Sequence, residues 1–68
     1  MPIQITLNGE THELADPVTV RELLERLEVE PKAVAVEVDE EIVPKSEYAS
    51  KTITGGETVE IIRFYPGG

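Results

Sequence analysis

Apolar and polar positions alternate with period two in the opening stretch Ile3-Gln4-Ile5-Thr6-Leu7. That is the pattern of a strand with one face buried. Asn8-Gly9 follows, and both residues tolerate the positive φ of a tight hairpin turn. Thr11-His12-Glu13-Leu14 is then the returning strand, with Leu14 inward, and Pro17 ends it. The period next changes. Val20, Leu23, Leu24 and Leu27 fall at i, i+3, i+4 and i+7, one apolar helical stripe. Thr19 with Glu22 three residues on is a capping box. Arg21, Glu22, Glu25 and Arg26 lie on the wet side, and Pro31 stops any continuation.

Period two returns at Ala33, with Val34, Val36 and Val38 on one face and Ala35 and Glu37 on the other. The acidic run from Asp39 breaks it, and Ile42-Val43 before Pro44 predicts a short strand at most. Residues 45–53 read as irregular, with a short helical turn and Ile53 plugging the core beneath. Thr54-Gly55-Gly56-Glu57 is a turn. The last strand places Val59 and Ile61 on one face and Glu60, Ile62 and Phe64 on the other. The order is β-β-α-β-(β)-β. One helix covers only one sheet face, so this predicts an α+β layer pair, a mixed sheet of four to five strands packed on one helix.

Composition narrows the function. A chain of 68 residues forms one domain, with little room for a deep substrate cleft. A net charge of −8 argues against nucleic acid, because phosphate contacts need a basic surface. It suits docking on a basic partner. There is no cysteine, hence no disulfide or thiolate chemistry. The start of the chain has no basic n-region followed by an apolar run, and no stretch is apolar enough to span a membrane; a cytoplasmic protein is expected. A lone His12 cannot build a transition-metal site and reads as a surface strand residue. Glu37, Asp39, Glu40 and Glu41 lack the spacing of a calcium loop and read as a solvated hairpin tip. No metal and no cofactor are expected.

Two features remain. Ile62 and Phe64 are exposed if the second sheet face is open, which suggests a docking patch continued by Tyr65. The alternative is that the 45–53 segment covers them. The second feature is the tail, Pro66-Gly67-Gly68. Pro66 fixes its own φ and biases Tyr65 toward an extended conformation, projecting the tail from the body. Glycines without side chains can thread a narrow channel and bring a terminal carboxylate beside a nucleotide. A carboxylate is a poor acyl donor until activated, so a working tail needs another enzyme.

The stretches "TVRELLERL", "AVAVEVDEEIVPKSEYA" and "GGETVEIIRFYPGG", after a short strand with "NGE", resemble the ubiquitin-like β-grasp proteins. They are most similar to the ThiS-type sulfur carriers of thiamine biosynthesis, over nearly the whole chain. That resemblance implies a β-grasp body over 1–65 and a flexible tail over 66–68. It implies that an ATP-dependent adenylating enzyme of the ThiF type activates Gly68, with Gly67 beside it. Sulfur drawn indirectly from a cysteine desulfurase converts Gly68 to a thiocarboxylate. Thiazole synthase, of the ThiG type, then takes the sulfur. Ile62 and Phe64, with Tyr65 and Pro66, match the family's partner-docking region. The chain is thus expected to be a protein cosubstrate and not an enzyme. Related carriers serving molybdopterin synthesis or tRNA thiolation, a β-grasp interaction module with idle glycines, and conjugation to lysines stay open. Two departures stand out. The family commonly has smaller residues before the glycines than Tyr65-Pro66, and commonly has arginine where this chain has Lys45.

Overall fold

The computed structural model describes residues 1–64. Strands β1 (Ile3–Leu7) and β2 (Glu10–Leu14) form the expected hairpin. Its turn has Asn8 at φ 49 and Gly9 at φ 84, the left-handed pair that matches the right-handed twist of the flanking strands. A two-residue strand β3 (Val18–Thr19) leads into helix α1 (Val20–Arg26). A 3-10 turn at Pro31–Ala33 precedes β4 (Val34–Val38) and β5 (Glu41–Val43). A second 3-10 turn at Lys45–Glu47, strand β6 (Thr52–Ile53) and strand β7 (Thr58–Arg63) complete the body.

The main sheet has the order β2-β1-β7-β4-β5. β7 runs parallel to β1 and antiparallel to β4, so the sheet is mixed and its last strand is central. Val59 shows why. It pairs with Leu7 on one side and Val38 on the other and is fully buried. Leu23, Leu24 and Val20 of α1 are equally buried. Together with Ile5, Leu14, Val34 and Val36 they form a single core between helix and sheet. Among the described residues no polar or charged side chain is buried; the core is held by apolar burial alone.

The helix begins as the sequence predicts. The Thr19 hydroxyl accepts from the Glu22 amide at 3.1 Å, and Glu22 accepts from the Thr19 amide at 2.8 Å. It ends where the apolar stripe ends, four residues before Pro31. Leu27 caps it, and Glu28 adopts φ 58. The Glu28 amide donates to Glu25 O at 3.1 Å and the Val29 amide to Leu24 O at 2.9 Å. This is a Schellman closure with glutamate where glycine is usual, and Val29 folds back into the core as its apolar partner. Leu27, the last residue of the predicted stripe, is therefore only partly buried.

Residues 45–53 are more ordered than the sequence suggested. β6 pairs antiparallel with β3, Val18 opposite Ile53 and Thr19 opposite Thr52. The Arg21 amide donates to Tyr48 O at 2.9 Å. Ile53 plugs the core as expected, and Tyr48 joins it. Burial pushes the Tyr48 phenol above its usual value, despite an opposing backbone hydrogen bond at Val36. His12 sits opposite Ile5 on the edge strand with intermediate exposure, as expected of a surface strand residue. No helix among the described residues is long and apolar enough to cross a membrane.

Candidate functional site

Alternation along β7 builds the candidate surface. Val59 and Ile61 point to the helix side. Glu60 and Ile62 point to the open side, and Phe64 continues that row. The Phe64 amide donates to Ala33 O at 2.9 Å, so this residue still lies in line with β4. Ile62 is 45% and Phe64 54% exposed. Covering by the 45–53 segment is not realised; that segment turns Tyr48 and Ile53 into the core instead.

Lys45 is the member of that segment that meets Phe64. Its ammonium lies 5.5 Å from the ring centroid and donates to Val34 O at 3.0 Å. A cation over an aromatic face attracts the ring quadrupole. The lysine thus braces the ring from one side and leaves the other half free.

The patch extends further than the sequence reading placed it. Ile42, in the middle of β5, is 72% exposed. The signal was present: Val43 points inward, so its neighbour must point outward. Ile42 stands opposite Glu37, and Glu37 stands opposite Glu60. Two carboxylates on facing strands repel, and here they separate two exposed isoleucines. Ala35 stands opposite Ile62 and fills the floor between strands. The face therefore presents aliphatic groups, one aromatic ring and carboxylates. That combination suits binding another protein. Among the described residues no three His, Asp or Glu side chains cluster to hold a metal ion.

Of the residues predicted to act, Ile62 and Phe64 come together on this face. Tyr65, Pro66, Gly67 and Gly68 lie outside the described residues, as does the boundary proposed between body and tail.

A second turn stabilises the strand that carries the patch. The Glu57 carboxylate accepts from the Gly55 amide at 2.6 Å and from the Thr54 amide at 2.9 Å. Partial burial works against ionisation, but the hydrogen bonds from Thr54 and Gly55 together outweigh it and hold the carboxyl below its usual value. Asn8 reaches across from the first hairpin, its side-chain oxygen accepting from the Ile61 amide at 2.8 Å. β7 is thus fixed at its start by Glu57 and along its length by two neighbouring strands.

Comparison with known proteins gives the same architecture a lineage. Residues 5–68 match the model of the ThiS family. The sulfur carrier protein ThiS of Escherichia coli is 29% identical over 66 residues, covering 97% of this chain and 100% of that protein. A thiazole synthase of Paramagnetospirillum magneticum is 41% identical over 66 residues, covering 97% of this chain. The chain spans only 20% of that relative's length. The crystal structure of the thiamine biosynthesis protein ThiS from Geobacter metallireducens superposes with a TM-score of 0.85 at 30% identity, covering 97% of this chain and 100% of that one. The fold is accordingly the ubiquitin-like β-grasp, with its mixed sheet on one helix. The chain belongs to the ThiS family, the sulfur carriers of thiamine biosynthesis.

Proposed function

We propose that this chain is a protein cosubstrate whose chemistry sits on Gly68 and whose catalysts are its partners. The observation that carries the reading is the family match, which runs through Gly67 and Gly68. The exposed Ile62 and Phe64 support it, because Ile62 lies on the last strand and Phe64 just beyond it, on the chain's way to those residues. In this reading the Gly68 carboxylate attacks the α-phosphate of ATP on an adenylating enzyme and pyrophosphate leaves. The outer sulfur of a partner's cysteine persulfide, traced back to a cysteine desulfurase, displaces AMP at the acyl carbon to give an acyl disulfide. A second thiol of the partner then attacks the inner sulfur, is oxidised with it to a disulfide, and releases the Gly68 thiocarboxylate. The net change at the carbonyl is one oxygen exchanged for one sulfur. Thiazole synthase then accepts the sulfur. One polypeptide of P. magneticum named as a thiazole synthase includes a segment similar to 97% of this chain, which supports that acceptor as a partner. Tyr65 and Pro66 direct the tail toward the partner's channel, and Ile62 and Phe64 dock the body. Residues 66–68 form the tail in this scheme and 1–65 the docking body, working in the cytoplasm.

The test is the intact mass of the protein after incubation with ATP, a sulfur donor and the adenylating enzyme of the same cell. A gain of one oxygen-to-sulfur exchange, mapped to Gly68, is the expected result. No change, with an enzyme shown active on its known carrier, overturns the reading.

A further inference from the structure

The chain has 6 basic residues against 14 acidic ones, so random placement would leave each cation among carboxylates. The fold does otherwise. Arg21, Lys32 and Lys45, half of all the cations, line one groove of about 410 Å³ together with Pro31, Tyr48 and Ala49. Glu30 also lines it. Arg21 makes a loose pair with Glu25 at 3.8 Å, an exposed contact worth little. Lys45 gives a hydrogen bond to a backbone carbonyl, which leaves its charge uncompensated. Lys32 is exposed on the 3-10 turn. The groove adjoins the docking face through Lys45, which touches the groove on one side and the Phe64 ring on the other.

We infer that this groove receives an acidic segment of the adenylating partner, seated beside the Phe64 patch as the tail enters the active site; this deepens the carrier reading and rests on it. Charge complementarity chooses the occupant. Three cations around a partly apolar floor fit aspartate or glutamate side chains interspersed with apolar ones. A free polyphosphate meets the same cations but has no apolar groups to set against Pro31, Tyr48 and Ala49. A protein partner can place its acids opposite the groove and its bases opposite Glu37 and Glu60, so each half of the contact selects against the wrong orientation.

Two measurements decide it. In amide-resolved NMR, a short synthetic peptide alternating aspartate and leucine is titrated into the protein, and ATP is titrated separately. The expected result is peptide-induced shifts at Arg21, Lys32, Lys45 and Ser46, absent at Lys51, reduced about tenfold in affinity by Lys32→Glu, and weaker with ATP. Shifts elsewhere, none at all, or tighter binding of ATP at these residues overturns the inference. In the second measurement the carrier is the varied substrate of the adenylating enzyme. Lys32→Glu is expected to raise KM about tenfold at low ionic strength with kcat unchanged, the pattern of lost docking. The difference should vanish as salt shortens the screening length to ~3 Å at 1 M. Lys51→Glu, an equal charge change outside the groove, should leave KM alone; equal effects of the two variants overturn the inference. If the enzyme fails to adenylate even the wild-type chain, the carrier reading falls, and with it the assignment of this partner, whatever the peptide shows.

Discussion

Consider placing an aspartate at Phe64 and, separately, at Val59. The two sites are five residues apart, Val59 in β7 and Phe64 just past its end, and face opposite ways. A phenylalanine side chain offers 150–250 Å² to bury, and Phe64 is 54% exposed, so about 100 Å² is free and slightly less is covered. At ~25 cal/mol per Å² the covered part contributes at most about 2 kcal/mol to folding. The new carboxylate would stand in water near Lys45 and carry no burial penalty. Phe64→Asp should therefore stay folded, with a urea midpoint lowered but measurable. The free part is worth about 2 kcal/mol on docking, so KM for the adenylating enzyme should rise about 30-fold. Val59 is fully buried, and an unpaired carboxylate there costs several kcal/mol. A core this small supplies only ~3–5 kcal/mol of stability, so Val59→Asp should be unfolded by circular dichroism at 25 °C. Two results refute the reasoning: a Phe64→Asp chain that unfolds like Val59→Asp, or one that folds and is adenylated with unchanged KM. The first would reverse the strand faces, and the second would remove the patch from docking.

Other expectations follow from single contacts. Deleting Gly68, or appending one residue to it, should abolish the oxygen-to-sulfur mass gain while the melting curve stays put. Glu28→Gly should stabilise the protein by about 0.5–1 kcal/mol in urea melts, because glycine relieves the left-handed backbone at φ 58 and gives back part of that gain in the unfolded chain. Glu57 has its carboxyl held below the usual 4.5. Its stabilising share is present above that value and lost as pH falls through the lower folded value. The urea midpoint should therefore decline below about pH 4.5, and less steeply in Glu57→Gln; parallel slopes would remove Glu57 as a cause.

The sequence announced those elements that repeat a period or bear a cap. Val34, Val36 and Val38 alternate for long enough to declare a strand, and Thr19 with Glu22 declares a helix start at the observed residue. β3 and β6 were invisible because two residues have no period; their pairing depends on Val18 and Ile53 meeting over the helix start. The helical stripe ends at Leu27, the observed C-cap, but the form of the closure was not legible because it uses Glu28 and not glycine. Tyr48 was unreadable as core because a lone aromatic among polar residues gives no facing information. On the candidate surface, Ile62 and Phe64 could be read from alternation alone. Ile42 needed knowledge of which neighbour faced in. The gathering of Arg21, Lys32 and Lys45 into one groove depends on tertiary approach of the helix to two turns, which no local pattern encodes.

The central position of β7 bears on how the protein comes off the ribosome. Without residues 58–63, β2-β1 and β4-β5 are two hairpins with no strand between them, and the core lacks Val59. A nascent chain can form its helix and hairpins early but cannot close its sheet until those residues have cleared the exit tunnel. Closure of the body thus waits on the strand that carries Ile62, so sheet and docking face are completed in one step. A chain terminated before residue 58 has neither a central strand nor a docking face. Incomplete copies therefore expose themselves to proteolysis instead of competing for the partner.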